Sequence, residues 1–383
     1  MFLKFEDFIL ESKSIYKMSN EVKSTLLELD EKYHKLIEKF RTKYVAQTIT
    51  NIKEEFEKFI NARNNGQKYF PQLEIENSEV DMDLLDKFSE LKDEFGKIVS
   101  ECYIAKFYIE KIESMIHSLE MRNELENGEY VPGENPVDKE LYNDALECIK
   151  KHPYHKPDFK NERNIDAEKC KDEMEDAVDD LDFDFDVEID DNMLPRMNVK
   201  MGKVNINSKA KFSEEDIDGL IAHEIKGHVG RRFYGKETGL WLFAYGLDGS
   251  STYDEGLAVW NSINLVKKKK DNIMFNIAMK TCISYLMFEM DFCELFDWVK
   301  KQAKEMTDLT AFKTILRPRR RNKDCEIKSG EPMTTYFKGY NLVNDMDNAT
   351  RDDILHYNIG PKQLFELENI KEFLKVNHFA KLK

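Results

Sequence analysis

The stretch from Ile221 to Val259 reads IAHEIKGHVGRRFYGKETGLWLFAYGLDGSSTYDEGLAV and combines residue types that bind zinc. It contains an H-E-x-x-x-H segment, formed by His223, Glu224 and His228, and a further glutamate, Glu255, 27 residues later. A catalytic zinc ion takes three side-chain ligands and keeps a fourth position for water, whose pKa then falls towards ~7. The pattern therefore predicts two histidines and Glu255 as Zn²⁺ ligands and Glu224 as general base.

The spacing of these histidines predicts a distorted helix. Zinc-binding helices commonly carry histidines at i and i+4, whereas residues five apart diverge by roughly 140° on a regular helix. One π-type turn absorbs the extra residue, and Gly227 makes such a distortion inexpensive. We therefore expect a local irregularity at 225–228, in a helix that begins with a capping box from Ser213 to Asp216.

The composition is that of a folded, acidic protein. The chain has 383 residues, of which 41% are hydrophobic and 34% charged, and a net charge of -16. Acidity of this degree disfavours nucleic acid or an anionic membrane as partner. The six cysteines form no C-x-x-C pair, so we expect reduced thiols and a cytoplasmic location, the host cytoplasm if the protein is viral. No apolar run reaches the ~20 residues of a membrane span.

The N-terminal part reads as packed helices. Apolar residues recur at intervals of three and four within 20–45, and a four-three stripe from Leu84 to Leu119 predicts one long helix that starts near Ser78. Either a coiled-coil dimer or an intramolecular hairpin with the earlier helix could cover this stripe. Glycines and prolines within 127–138 predict a linker. We thus divide the chain into a helical region, 1–126, the linker, and a catalytic domain, 139–383.

Two stretches before the zinc motif have the period-two pattern of strands. Phe185, Val187 and Ile189 alternate with acidic residues, and a second alternating stretch covers 198–206 with Gly202 as a possible bulge. A strand followed by the metal helix is the order found in zinc peptidases, where an edge strand can pair with an extended peptide. The expected architecture is mostly α with a small β-sheet (α+β), in a zincin-like metallopeptidase domain.

Three blocks of this region resemble a known peptidase family. HEIKGHVGRRF (223–233), LFAYGLDG (242–249) and TYDEGLAV (252–259) are similar to blocks of the family that contains the microtubule-associated tyrosine carboxypeptidases. The resemblance implies zinc held by His223, His228 and Glu255, with Glu224 as base, and a metallocarboxypeptidase-like activity. Lys226 and Gly227 stand where the family usually has Gly-Thr, and Asp254 where glutamine is frequent. Asp254 is the alternative third ligand.

The resemblance extends to a basic segment followed by a tyrosine block, TYFKG (335–339). A carboxypeptidase must bind the terminal carboxylate of its substrate, which arginine does through two parallel hydrogen bonds. Candidates for this role are Arg317, Arg319, Arg320 and Lys338. Tyr336 is the candidate for stabilising the oxyanion.

The most concrete functional prediction is a zinc metallopeptidase that removes a C-terminal residue from a peptide or protein tail. A zinc endopeptidase or aminopeptidase on the same scaffold is one alternative, and a catalytically silent binding protein is another. The sequence names neither the substrate nor the oligomeric state.

Overall fold

The computed structural model describes residues 16–44, 48–76, 81–126, 135–156, 164–180, 185–191, 196–200, 203–267, 270–319, 323–328 and 330–382. Within these ranges the chain is mostly helical and has two small sheets, in agreement with the predicted α+β composition. Most of the predicted linker lies outside the described residues, as do Ser78, Gly202 and Arg320.

The described part of the N-terminal region contains four helices: α1 (Asn20–Tyr44), α2 (Ile52–Asn64), α3 (Met82–Ile98) and α4 (Ala105–Glu126). A two-stranded antiparallel sheet joins β1 (Thr48–Ile49) to β2 (Ile75–Glu76). The prediction of one long helix from Ser78 is wrong, because the chain leaves the helix after Ile98 and starts a new one at Ala105. Cys102 and Ile104 are buried in that turn, so the apolar stripe continues through it. The earlier helix α1 does pack on α3, as the intramolecular hairpin requires.

The segment before the zinc motif contains helices α5 (Lys139–Lys151) and α6 (Ala167–Asp179) and a three-stranded sheet. The strands are β3 (Asp186–Asp190), β4 (Met197–Lys200) and β5 (Lys203–Asn207), in the order β3-β5-β4. The strand predicted at 198–206 is two antiparallel strands, β4 and β5, instead. The strand that precedes the motif is thus central, and β4 is an edge strand.

The motif lies in a continuous helical run of α7 (Glu214–Leu220), a π-helix (Ile221–Val229) and α8 (Gly230–Glu237). The predicted capping box is present, with Ser213 and Asp216 bonded to each other's backbone amides. The remaining elements are α9 (Trp241–Tyr245), α10 (Ser251–Leu265), α11 (Lys270–Leu286), α12 (Phe292–Gln302), α13 (Asp308–Arg319), α14 (Thr335–Asn344), α15 (Asn348–Tyr357), a 3₁₀ turn (Pro361–Glu366) and α16 (Leu367–Asn377).

Helix α10 occupies the centre of the molecule. Its residues Tyr253 and Leu257 are buried in a core formed with α1, α3, α4 and the C-terminal helices. Val259 and Ile263, further along the same helix, are buried in a second core with α2, α5 and helices α11 to α14. The π-helix adds Ile225 to a third core, against α6 and the three-stranded sheet. The first core therefore contains residues from both sides of the predicted linker, whose role as a domain boundary stays a prediction.

All six cysteines are buried and none forms a disulfide. Within the described ranges, no helix is both long and apolar enough to span a membrane.

Candidate metal centre

The π-helix brings both motif histidines to one side of the helical run. The predicted irregularity at 225–228 is confirmed, and it extends over the nine residues Ile221–Val229. Because each π-type turn contains more residues than an α-turn, side chains five apart come close to alignment. The imidazole rings of His223 and His228 lie edge to face, with their centroids 5.1 Å apart.

Helix α10 supplies the third side chain. The Nε2 atoms of His223 and His228 each lie 3.8 Å from Oε2 of Glu255. One donor atom of each of the three side chains lies within 4.8 Å of the others. Donors on a tetrahedral zinc ion are about 3.3 Å apart when the ion lies 2.0–2.1 Å from each. The observed spacing is therefore close to that of a metal-ligand group.

Close packing of glycine and alanine sets the distance between the two helices. A methyl group added to Gly227 would lie 2.9 Å from Cβ of Ala258 and 3.1 Å from its Cα. On the other side of α10, a Cβ on Gly256 would lie 2.4 Å from the carbonyl oxygen of Gly339 in α14. The glycine predicted to ease the distortion thus also allows α10, and with it Glu255, to approach the π-helix.

Each histidine has a second partner that orients its ring. Nδ1 of His228 lies 2.9 Å from a carboxylate oxygen of Asp254. His223 hydrogen-bonds the Ala258 backbone carbonyl, which raises its pKa slightly against the effect of burial, and Oγ of Ser262 lies 3.5 Å from its Nδ1. Both Nε2 atoms are thereby directed to Glu255. Asp254 is the alternative ligand in the sequence interpretation. It lies outside the group of three side chains and contacts one of them, His228, instead.

The charges in the site are strongly coupled. Burial, together with the neighbouring His228 and Lys280, lowers the pKa of His223 to about 3. For His228, burial lowers the pKa, but Asp254 and the two glutamates outweigh burial and raise it to about 10. Burial raises the pKa of Glu224 to about 7, with His228 opposing the rise. Glu224 can therefore accept and release a proton near neutral pH.

Tyr336 joins the site from α14. It hydrogen-bonds Glu255, which lowers the pKa of that glutamate against the larger, opposite effect of burial. Burial and Glu255 raise the pKa of the tyrosine hydroxyl well above its ordinary value, so it keeps its proton. The sequence did not identify Lys280 of α11, whose Nζ lies 3.7 Å from the centroid of the Tyr336 ring. Burial, with Arg317 nearby, lowers the pKa of Lys280 to about 8.

The four basic candidates for substrate binding differ in their surroundings. Arg317 is exposed, and its charge acts on both Lys280 and Tyr336. Lys338 is exposed and lies two residues from Tyr336, on the opposite face of α14. Arg320 lies outside the described residues.

The prediction that Arg319 binds substrate is wrong. Its side chain is fully buried and donates hydrogen bonds to the carbonyl oxygens of Cys325, Ile327, Met287 and Met290. Its guanidinium therefore joins the segment after α13 to the end of α11. An arginine in a basic run gives no signal in the sequence that its partners will be backbone carbonyls.

A family model described as microtubule-associated tyrosine carboxypeptidase matches residues 57–346. A comparison with curated proteins gives no match. A candidate lipoprotein from Colwellia psychrerythraea has a TM-score of 0.45 at 12% identity, over 76% of this chain and 66% of that one. A candidate lipoprotein of unknown function from Shewanella oneidensis has a TM-score of 0.40 at 15% identity, over 77% and 70% of the two chains. These two likenesses are too weak to bear on function.

Proposed function

Since the chain belongs to the microtubule-associated tyrosine carboxypeptidase family, we propose that it is a zinc-dependent carboxypeptidase acting on a peptide or protein tail. The observation that carries the proposal is the convergence of His223, His228 and Glu255 beside Glu224. A zincin-like architecture and a cytoplasmic location belong to the same proposal.

The side chains fit a zinc ion. Two imidazoles and one carboxylate are a ligand set of catalytic zinc sites. Oε2 of Glu255 is buried and has no hydrogen-bond partner, and a buried carboxylate oxygen without a partner is costly. A cation between this oxygen and the two Nε2 atoms would remove that cost. His223, His228 and Glu255 would hold the ion, and Asp254 would fix the ring of His228.

The remaining groups can perform the proton transfers of peptide hydrolysis. Bound zinc would supply Lewis-acid activation of water and of the scissile carbonyl. Glu224, with its pKa of about 7, would take a proton from the attacking water and deliver it to the leaving amine. The protonated hydroxyl of Tyr336 would donate a hydrogen bond to the oxygen that becomes negative during attack.

The positive charge near Tyr336 favours binding of a negatively charged substrate group, either an acidic side chain or the C-terminal carboxylate, over binding of a protonated amino terminus. Lys280 and Arg317 both act on the tyrosine, and an aminopeptidase would need acidic groups to bind a protonated amine. Arg317 and Lys338 keep their proposed role as substrate-binding residues.

The decisive experiment uses the zinc-loaded full-length protein and a peptide library varied at the C-terminus. We expect release of single C-terminal residues, and a 10²- to 10⁴-fold lower rate in Glu224→Gln, because that variant lacks the proton acceptor. Zinc content, measured by mass spectrometry, should stay at one ion per chain in the variant.

Glu214→Gln provides the matched control, because Glu214 is an exposed acid in α7. It should cleave at the wild-type rate. The proposal fails if the protein binds no zinc, or if Glu224→Gln cleaves as fast as the control. Cleavage that requires a free N-terminus would indicate an aminopeptidase instead.

A further inference from the structure

A cavity of about 700 Å³ adjoins the metal-ligand group and extends to the N-terminal helices. This volume is in the range of pockets that enclose small ligands, ~300–1,000 Å³. His228 and Glu255 form part of its wall, and Val199 of the edge strand β4 forms another part. Helices α1 and α4 contribute Ile37, Phe40, Arg41, Lys111, Ser114, Met115 and Ser118. The region that the sequence indicated as packing therefore borders the candidate site.

Two arginines on this wall share a single acidic partner. Arg232 lies 3.4 Å and Arg41 3.9 Å from the same carboxylate oxygen of Glu38. That oxygen also accepts a hydrogen bond of 2.6 Å from the Tyr245 hydroxyl. Nε and Nη1 of Arg232 are buried without a hydrogen-bond partner among the described residues. The pair of guanidiniums thus has more donors than Glu38 can satisfy.

Lys111 adds a third positive charge. It has no ion pair within 4.0 Å among the described residues, and burial lowers its pKa, with Arg41 acting in the same direction. Asp248, on the cavity wall, attracts Lys111 but lies 3.9 Å from a different lysine, Lys362. A partly buried amine on which the Arg41 guanidinium acts is stabilised by any anion that enters the cavity.

Arg231 is not part of this surplus of charge. It is buried and donates to the carbonyl oxygens of Ser250 and Ile359, and its Nη1 lies 3.6 Å from Asp254. Its role is to hold the segment that leads into α10. The donors that remain available for a ligand are those of Arg41, Lys111 and Arg232.

We propose that Lys111, Arg41 and Arg232 bind a carboxylate group of the peptide substrate in this cavity, an inference that rests on the proposed carboxypeptidase function. The apolar residues Ile37, Phe40 and Met115 on the same wall suit the aliphatic or aromatic part of a residue. The carboxylate could be the free C-terminus or an acidic side chain of the tail. Arg317 and Lys338, the candidates from the sequence, do not line this cavity.

The experiment measures binding without turnover. Zinc-loaded Glu224→Gln protein is titrated calorimetrically with the peptide cleaved best in the library. The same peptide is also used with a C-terminal amide, and with its acidic residues changed to Gln or Asn. We expect Lys111→Met, added to this background, to weaken binding of the free-acid peptide about 10- to 100-fold, the range for losing a hydrogen bond to a charged group.

The peptide series identifies which carboxylate is bound. If it is the C-terminus, the amide should bind the Glu224→Gln protein weakly, and adding Lys111→Met should weaken its binding no further. If it is a side chain, the Gln or Asn peptide should behave in this way instead. Lys111→Arg should recover most of the affinity. Arg41→Met is the second variant, measured in case Lys111→Met loses its zinc or its fold.

Lys97→Met is the matched control, since that lysine is exposed in the last turn of α3 and lies outside the cavity. The inference is overturned if folded, zinc-bound Lys111→Met and Arg41→Met bind the free-acid peptide as tightly as the control. It is also overturned if these variants lose as much affinity for peptides that lack every carboxylate as they lose for the free-acid peptide. Either result would leave the proposed hydrolysis intact, because that proposal depends on Glu224 and zinc. Absence of any cleaved peptide would instead contradict the proposed function.

Discussion

Asp254 follows Tyr253 and precedes Glu255 in one turn of α10, and the two acidic side chains have different surroundings. One oxygen of Asp254 lies 2.9 Å from Nδ1 of His228, and the other lies 3.6 Å from Nη1 of the buried Arg231. These contacts hold the pKa of Asp254 well below its ordinary value despite burial. Its carboxylate is therefore charged and satisfied, while that of Glu255 retains a buried oxygen without a hydrogen bond.

Changing Asp254→Asn should weaken zinc binding about 10- to 100-fold, as expected for loss of the charged partner of a ligating histidine. The affinity is measured by competition with a chromophoric chelator. Asp248→Asn serves as control, because Asp248 lines the same cavity without contacting a ligand candidate. Equal zinc affinity of the two variants would contradict the role given to Asp254.

At the scale of elements, the site depends on three helical segments in close contact. The π-helix packs on α10 at Gly227, and α10 packs on α14 at Gly256 and Gly339. The first contact positions the histidines against Glu255, and the second brings Tyr336 to the same carboxylate. Glycine is needed here because each backbone occupies the space that a side chain on the other would fill.

Gly227→Ala should reduce both stability and zinc affinity. The added methyl would lie 2.9 Å from Cβ of Ala258, so one helix must move away from the other. Overpacking of this kind costs about 1–3 kcal/mol of unfolding free energy. Urea denaturation and chelator competition measure the two effects.

Gly219→Ala is the matched substitution in α7, where the nearest atom to a new Cβ is Cγ2 of Val266 at 3.6 Å. This is ordinary contact, and alanine favours a helix over glycine by about 1 kcal/mol. We expect it to leave zinc affinity unchanged. A Gly227→Ala protein as stable as Gly219→Ala, with the same zinc affinity, would disprove the packing argument.

The sequence predicted the start and the distortion of the motif helix, because residues close together in the chain determine both. The capping box at Ser213 and the distortion between His223 and His228 depend on residues a few positions apart, and both are present. The turn after Ile98 was missed because Cys102 and Ala105 continue the four-three apolar spacing through it. Apolar periodicity indicates which residues are buried, and these residues are buried in the turn as they would be in a helix.

The contributions of Lys280 and Lys111 could not be predicted, because neither lies near the motif in the chain. Lys280 lies in α11 and Lys111 in α4, and the charged end of a lysine on a packed helix is usually solvated. Only the packing of these helices against α10 and α1 brings their charges to the site. The ligand candidates lie within one stretch of the chain, whereas the charges around them come from distant segments.

At the scale of the whole molecule, the first core joins the N-terminal helices to the segment that follows the zinc motif. Asp30 of α1 accepts a hydrogen bond of 2.6 Å from the Tyr108 hydroxyl in α4 and one of 2.9 Å from the backbone amide of Trp241. Its side chain is buried, and burial raises its pKa from 3.8 to about 6, against the effect of these bonds.

This carboxyl should make stability depend on pH. Its pKa is higher in the folded state than in the unfolded state, so its contribution is greatest below about pH 4 and is lost as pH rises through about 6. Between pH 5 and 7.5 the wild type should lose on the order of 1 kcal/mol relative to Asp30→Asn. Urea denaturation of both proteins at the two pH values measures this. A constant difference would show that Asp30 does not titrate in this range.

The sequence of the cavity wall can change independently of the sequence that carries the metal-ligand candidates. The metal-ligand candidates belong to the π-helix and α10, whereas the aliphatic wall and two of the three cationic side chains belong to α1 and α4. Substitutions in the latter two helices could change which tails are preferred without altering a ligand candidate or the general base. Selectivity and chemistry could then vary independently, and an engineer could redirect this scaffold by mutating only positions before residue 120.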